Sequence, residues 1–231
     1  MTTSNEKQLQ KRGLTMLTIF FVILAVLFTP IFPGEVNGLD YMDNLFNMIS
    51  KGSSDFITEQ QQDNTTFTTV ELNLQFAMKS EKQAEEFARQ LTLAGAAAGT
   101  SAANVTVKGN MAAIVKTSLA DCRAMFDNND RVVEQRYNFS GREALFNWWT
   151  GYKAMVKVLN KEKKFKEAKF LGTLCKKAIE PAYNYFGIEA KPWRANILMI
   201  VLSLAFYVVY TVWYGFGILY LFEGIGLKAG H

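Results

Sequence analysis

Two long stretches without a charged side chain limit most strongly what this chain can fold into. The first covers 14–32 and has 19 residues, and the second covers 197–222 and has 26. Because a helix rises about 1.5 Å per residue, each stretch is long enough to cross about 30 Å of hydrocarbon. The sequence therefore predicts two transmembrane helices that flank a water-soluble region.

The first stretch also has two features of a cleaved signal peptide. Lys7, Lys11 and Arg12 precede its apolar core, and Pro30 and Pro33 follow it. The region after the core lacks the small-x-small pattern of a cleavage site, however. We therefore expect an uncleaved membrane anchor.

Charges beside the first stretch predict the orientation of the chain. Residues 4–13 carry a net charge of +2, whereas residues 35–43 carry −3. Basic residues favour the cytoplasmic side, so we expect both tails in the cytoplasm and the central region in the periplasm or outside the cell. Lys191 and Arg194 oppose this orientation, and we give more weight to the first span. The expected location is the cell inner (plasma) membrane.

The region between the spans opens with the period of a strand that has one buried face. Apolar residues alternate with polar or small ones at Val70, Leu72, Leu74, Phe76 and Met78. Ser80 and Gln83 then form a capping box, which predicts a first helix that ends in the small-residue run 95–99.

A tight turn and two further apolar segments follow. Gly109–Asn110 lies between 105–108 and 111–117, which indicates a β-hairpin. We expect Ser118 to cap a second helix and 133–139 to supply a fourth strand. The resulting β-α-β-β-α-β order is that of the ferredoxin-like fold.

The predicted fold class is therefore an α+β membrane protein with two transmembrane helices, an extracytoplasmic ferredoxin-like domain and a membrane-proximal helical hairpin. The predicted segments are a cytoplasmic tail (1–13), transmembrane helix 1 (14–32), an amphipathic helix and linker (35–66), the ferredoxin-like domain (67–139), the basic helical hairpin (140–190), transmembrane helix 2 (197–222) and a second cytoplasmic tail (223–231).

The helical hairpin is much more basic than the domain before it. Residues 141–194 contain 12 basic and 5 acidic side chains, whereas residues 35–140 contain 9 basic and 14 acidic ones. Four lysines of the hairpin are candidates to contact anionic head groups or an acidic partner, and a solvated helix face is the alternative. They are Lys153, Lys157, Lys161 and Lys164.

One face of the second apolar stretch favours contact with another helix. The residues on this face are Ser203, Tyr207, Tyr210, Tyr214 and Gly217. Lipid does not satisfy hydroxyl groups, and glycine lets two backbones approach closely. The contacting helix is either the chain's own first span or a helix of a partner, and the sequence leaves both open.

Residue counts exclude several kinds of chemistry. The only histidine is His231, so we expect no enzyme that depends on a histidine base or metal ligand. Cys122 and Cys175 form no CxxC motif, and we expect two buried thiols, with a disulfide between them as the alternative. The sequence predicts no catalytic residue, no metal site and no cofactor.

Together these patterns predict a non-catalytic, membrane-anchored accessory or assembly subunit of a larger membrane complex. The alternative is an extracytoplasmic ligand-sensing module that signals through a partner chain, because only nine residues follow Phe222. The expected partners are the lipid bilayer and other integral membrane subunits or a second copy. Nucleic acid is not expected, because the predicted middle strands carry Val and Ile rather than exposed aromatic residues.

Overall fold

The structure is a computed structural model that describes residues 4–227. The tail residues 1–3 and 228–231, including His231, lie outside the described residues. The α-helices are α1 (Ser4–Leu27), α2 (Gly38–Ser53), α3 (Ile57–Asn64), α4 (Glu81–Leu93), α5 (Met111–Phe126), α6 (Asp130–Tyr137), α7 (Gly141–Lys161), α8 (Phe165–Leu174), α9 (Glu180–Asn184) and α10 (Ile197–Gly224). The strands are β1 (Glu71–Ala77), β2 (Ala97–Ser101) and β3 (Asn104–Asn110).

The chain divides into two compact units. One combines Met1–Ile49 with Lys191–His231, and the other is Ser50–Ala190. The first contains α1 and α10, and the second contains the sheet and most of the remaining helices. We refer to them as the helical-pair unit and the central unit.

Two helices of the helical-pair unit are long and apolar enough to cross a membrane, namely α1 and α10. At about 1.5 Å per residue they are roughly 36 and 42 Å long. α1 already begins at Ser4 and ends at Leu27, ahead of Pro30, which cannot donate a backbone hydrogen bond. α10 runs antiparallel to α1, since Gln10 contacts Gly224 and Phe20 contacts Tyr210.

The central unit contains a three-stranded antiparallel sheet with the strand order β1-β3-β2. Leu74 of β1 and Ala98 of β2 both pair with Val107 of the middle strand. Burial alternates along β1, with Leu72, Leu74 and the other apolar residues on the covered face. The strand predicted from this alternation is confirmed.

Two helix starts are also confirmed, one predicted by the capping-box pattern of Ser80 and Gln83 and one predicted by the same pattern at Ser140 and Glu143. The Ser80 hydroxyl accepts a 3.2 Å hydrogen bond from the Gln83 amide at the start of α4. The Ser140 hydroxyl accepts one of the same length from the Glu143 amide at the start of α7. Each hydroxyl satisfies an amide that has no partner within its helix.

The predicted hairpin around Gly109–Asn110 is wrong. Asn110 is the N-cap of α5, and its side-chain oxygen accepts a 3.1 Å hydrogen bond from the Ala113 amide. Residues 111–117 are therefore helical, and Ser118 lies within α5 rather than capping it. Gly109 belongs to β3, where an added Cβ would lie 2.8 Å from the Ala96 Cβ. The absence of a side chain at Gly109 thus allows close packing against Ala96, and this glycine does not form a turn.

The observed β-hairpin joins β2 to β3, and its loop comes before Gly109–Asn110 in the chain. Ser101 pairs with Asn104, and Ala102 in the loop has a left-handed φ of 48°. β2 begins within the small-residue run 95–99, where the sequence pattern predicts the end of the first helix, and it extends to Ser101. Pairing with β3 determines its conformation, since alanine and glycine have little intrinsic preference for strands.

The predicted fourth strand at 133–139 is also wrong. Val133 and Tyr137 lie four residues apart on the buried side of α6, which ends where Asn138 adopts a left-handed conformation. The described part of the chain is thus a mixed helix and sheet structure with a small three-stranded sheet, and the ferredoxin-like fold is not confirmed.

The carboxyl-terminal half of the central unit is helical. α7 and α8 form the predicted hairpin, and a single π-helical segment at 175–179 connects α8 to α9. Trp148 and Tyr152 of α7 are fully buried, and the Trp148 ring meets Phe87 edge-on at 5.4 Å. This packing fixes the rotation of α7 and determines which of its residues reach the surface.

Candidate functional site

The predicted tyrosine face contributes several of the contacts between α1 and α10. The Tyr210 hydroxyl donates a 2.9 Å hydrogen bond to the Phe20 carbonyl, and the two rings stack with centroids 4.2 Å apart. The Tyr214 ring lies 4.7 Å from the Phe20 ring. Trp213, outside the predicted face, donates from Nε1 to the Met16 carbonyl at 3.0 Å.

Glycines allow the backbones of α1 and α10 to approach. A Cβ added to Gly13 would lie 2.5 Å from the Leu221 nitrogen. A Cβ on Gly217 would lie 3.4 Å from the Met16 Cβ, and Gly224 accepts a 2.9 Å hydrogen bond from Gln10 Nε2. Of the predicted face, Tyr210, Tyr214 and Gly217 thus lie against the chain's own first span.

The other hydroxyls of the predicted face, including that of Tyr214, form no hydrogen bond to α1 within the described residues. Ser203 donates its hydroxyl hydrogen bond to Ile200 within α10. Tyr207 is 66% exposed and Tyr214 is 39% exposed. Neither phenol has a hydrogen-bond partner within residues 4–227, and the two lie seven residues apart on one side of α10. We call Tyr207 and Tyr214 the open tyrosine pair.

The four predicted lysines lie on α7 and at its carboxyl-terminal end. Lys157 and Lys161 are exposed. Lys164 forms a 2.8 Å ion pair with Glu162. Lys153 is half-buried, and its ammonium lies 5.3 Å from the centre of the Trp149 ring. The four lysines therefore have different environments rather than one shared contact.

Both cysteines are buried free thiols. Burial raises the pKa of Cys175 to about 12 and also raises the pKa of Cys122 strongly. Because the thiolate is the reactive form, neither side chain has the environment of a nucleophile.

A buried carboxylate, which the sequence analysis did not identify, joins three helices of the central unit. Asp121 of α5 is fully buried and accepts hydrogen bonds from Tyr137 (2.6 Å), Trp148 (2.8 Å) and the Arg136 guanidinium. Burial raises the pKa of Asp121, and the three donors oppose that rise. Because Asp121 is fully buried and protein donors contact both of its carboxylate oxygens, this network positions the helices.

A cavity of about 150 Å³ opens between α7 and the segment that leads into α9. Phe146, Trp149 and Tyr183 contribute aromatic rings, and Leu145 and Ile179 close its inner end. Its lining is almost entirely apolar. An apolar cavity of this size, about 150 Å³, is large enough for one benzene ring.

Two polar residues complete the cavity wall, Glu180 and Asn184. Glu180 accepts a 2.8 Å hydrogen bond from Trp149 Nε1, which fixes the indole ring. Asn184 lies at the exposed rim. Glu180 follows directly after the π-helical segment, a local widening that often marks functional sites.

Three cations lie against aromatic rings of the cavity wall, although none of the three lines the cavity itself. The Lys79 ammonium is 4.9 Å from the centre of the Phe146 ring, and the Lys153 ammonium is 5.3 Å from that of Trp149. The Arg142 guanidinium is 5.6 Å from the Tyr183 ring. Within the described residues, none of the three has a carboxylate within 4.0 Å.

Comparisons of this chain with protein-family models, with curated proteins and with solved structures returned no match. Its candidate sites therefore have to be interpreted from their own geometry.

Sequence reasoning identified parts of these sites and missed others. Trp149 and Tyr183 stand out as aromatic residues, but nothing local indicates that Phe146 and Glu180 lie beside them. Asp121 carries a usable signal, because it interrupts the apolar side of α5 next to Cys122. A carboxylate at such a position requires buried donors, which predicts a network of this kind.

Proposed function

We propose that this chain is a non-catalytic membrane-anchored accessory or assembly subunit, and that it associates with another membrane protein through the open tyrosine pair of α10. The observation that supports this function best is the position of Tyr207. Its Cα lies about 20 Å along the helix from Arg194 and about 24 Å from Glu223. The phenol therefore belongs to the middle of the apolar segment.

A hydroxyl in the middle of a bilayer requires a partner. Hydrocarbon offers no hydrogen bond, and leaving a hydroxyl unpaired in such a medium costs a few kcal/mol, roughly 2 to 7 depending on the reference. A neighbouring helix with a backbone carbonyl or polar side chain would satisfy both phenols of the pair. Hydrogen bonds between membrane helices contribute about 0.6 kcal/mol on average, so the pair would act together with surrounding apolar contacts.

The proposed orientation has both termini in the cytoplasm and the central unit in the periplasm or outside the cell. The net charge of +2 on residues 4–13 against −3 on residues 35–43 supports it. Protease added to spheroplasts should then digest the central unit, whereas protease added to inverted vesicles should leave it intact. The opposite pattern would reverse the orientation.

The exposed lysines of α7 are a second proposed contact, with anionic head groups. Lys157 and Lys161 support it, because both are exposed and have no ion-pair partner in the part of the chain that the structure describes. Each such lysine near a lipid surface contributes about 1 kcal/mol. Replacing both by glutamine should weaken binding to anionic relative to zwitterionic vesicles.

The assembly function is tested by purifying the full chain from its native membrane in a mild neutral detergent and measuring the mass of the particle. We expect another membrane protein to copurify. Tyr207→Leu should lose it, and Tyr207→Phe, which removes only the hydroxyl, should retain it in part. Val209→Leu is the matched control, because Val209 is 64% exposed and lies on the opposite side of α10. A monomeric particle without a second protein would overturn the proposal. A particle that contains only copies of this chain would show self-association instead of association with another membrane protein.

A second candidate function is ligand sensing by the central unit through a partner chain. The cavity between α7 and α9 is the specific observation that favours it, because concave apolar sites with a few polar groups are typical of small-molecule binding.

A further inference from the structure

We propose that the cavity between α7 and α9 binds a small carboxylate that carries one aromatic ring or a branched aliphatic group. This inference concerns only residues of Ser50–Ala190, and it does not rest on the association of α10 with a partner. The size, the lining and the charge of the site support it.

The size and lining of the cavity determine the apolar part of the ligand. About 150 Å³ accommodates one ring but not a fused ring system or a long acyl chain. Phe146, Trp149 and Tyr183 offer ring faces and edges, which stabilise a bound aromatic group beyond the effect of burial alone.

The charge around the cavity determines the polar part of the ligand. Lys79, Arg142 and Lys153 contribute three positive charges, and Glu180 contributes one negative charge. An aromatic cavity with a carboxylate is also the arrangement that recognises quaternary ammonium groups. The net charge of +2 decides between the two, because a ligand cation would face three like charges. Glu180, moreover, already accepts a hydrogen bond from Trp149.

The three cations are available to a ligand anion. None is held by a carboxylate within the described residues, and their contacts are with ring faces. A guanidinium such as that of Arg142 keeps its planar fork of donors when it stacks, and this fork matches a carboxylate. We therefore expect the ring of the ligand inside the cavity and its carboxylate at the rim, towards Arg142 and Lys153.

The test compares two probes that share one aryl group and a similar chain length but carry opposite charge, 3-(4-fluorophenyl)propanoate and 3-(4-fluorophenyl)propylammonium. Each is titrated against the full chain in neutral detergent, and binding is measured from the fluorine NMR signal of the probe. We expect the propanoate to bind at least about fivefold more tightly than the ammonium probe, the factor that roughly 1 kcal/mol of charge interaction gives.

Four variants at the cavity and one control variant link binding to this site. Arg142→Gln and Lys153→Gln should each lower the affinity for the propanoate by about two- to fivefold. Lys108 is an exposed lysine of β3, and Lys108→Gln should leave this affinity unchanged. Asn184→Trp should abolish binding by filling the rim. If that variant does not fold, Glu180→Gln provides an independent test, because it removes the single negative charge and should strengthen propanoate binding.

Three results would overturn the inference. The first is equal or tighter binding of the ammonium probe, which would indicate a cation site. The second is no binding of the propanoate. The third is propanoate binding that none of the cavity variants changes, which would indicate partition into the detergent. None of these measurements involves the open tyrosine pair. A negative result for the cavity therefore leaves the proposed assembly function untouched, and the reverse also holds.

Discussion

The phenol of Tyr210 donates a 2.9 Å hydrogen bond to the backbone carbonyl of Phe20, although 190 positions separate the two residues in the chain. A carbonyl within a helix already accepts one bond from its own helix, and its second lone pair remains available. The two apolar helices thus form a specific antiparallel pair. The phenols of Tyr207 and Tyr214 remain exposed, and they are the groups that we propose to contact a partner.

The pairing of α1 and α10 predicts which cysteine substitutions form a disulfide. A Cβ on Gly217 would lie 3.4 Å from the Met16 Cβ, which is close to the separation of about 3.8 Å found in disulfides. The variant Met16→Cys with Gly217→Cys should therefore cross-link within one chain under mild oxidation. Met16→Cys with Gly215→Cys is the matched control, because a Cβ at Gly215 has no neighbour within 4 Å. Equal cross-linking of both pairs on a non-reducing gel would contradict the observed rotation of α10.

Gly13 is predicted to limit how closely the same helices pack. Gly13→Ala places a methyl group 2.5 Å from the Leu221 backbone nitrogen, so α10 must move away. We expect the pairing to weaken by about 1–3 kcal/mol, as for overpacking in a well-packed interior. The readout is slower disulfide formation by the Met16 and Gly217 cysteine pair. Gly215→Ala adds the same methyl group in open space and should leave the rate unchanged.

Local signals predicted those elements whose stability is local. The alternation along β1 and the hydroxyl caps at Ser80 and Ser140 each involve residues within one turn or one strand. The prediction for the segment around Gly109 was wrong because Gly109 and Asn110 fit both a tight turn and a strand followed by a helix N-cap. The contact that decides between them, Gly109 against Ala96, depends on the pairing of β2 with β3.

The candidate sites show the same limit. The sequence predicted that the tyrosine face contacts a helix, but left open which helix, since Phe20 is far away in the chain. Trp149 and Tyr183 are among the aromatic residues that the sequence offers for a shared pocket, but their helical spacing favours core and interface positions instead. The cavity exists only because α7 and α9 pack side by side, and no spacing along the chain encodes that contact.

Asp121 is predicted to be essential for packing α5 against α6 and α7. Asp121→Asn keeps the shape of the side chain but turns an amide donor towards the donors of Tyr137, Trp148 and Arg136. We expect a loss of about 2–3 kcal/mol in the free energy of unfolding at neutral pH, as for hydrogen bonds to a charged group. The thermal midpoint in neutral detergent measures this, with Asp127→Asn, on an exposed loop, as the control. An unchanged midpoint would exclude a structural role for the network.

The same carboxylate makes stability depend on pH in a defined direction. Burial raises the pKa of Asp121 above its ordinary value of 3.8, so the folded state holds the proton more tightly than the unfolded state. The proton-linked part of the stability is therefore complete below pH 3.8 and is lost as the pH rises through the folded pKa, whereas the hydrogen bonds that the carboxylate accepts remain. As the pH rises across that interval, the native chain should lose more free energy of unfolding than the Asp121→Asn variant does. A shift in the opposite direction would show that the three donors outweigh burial.

The two cysteines give a prediction that separates free thiols from a disulfide. Both thiols are buried, and burial raises the pKa of Cys175 to about 12 and raises that of Cys122 as well, so almost no thiolate is present near pH 8. Iodoacetamide should therefore leave the folded chain unmodified and should add two groups after denaturation without reductant, as measured by intact mass. A disulfide would instead leave the denatured chain unmodified until reductant is added. Rapid labelling of the folded chain would mean that the core around α5 and the π-helical segment opens more readily than its packing indicates.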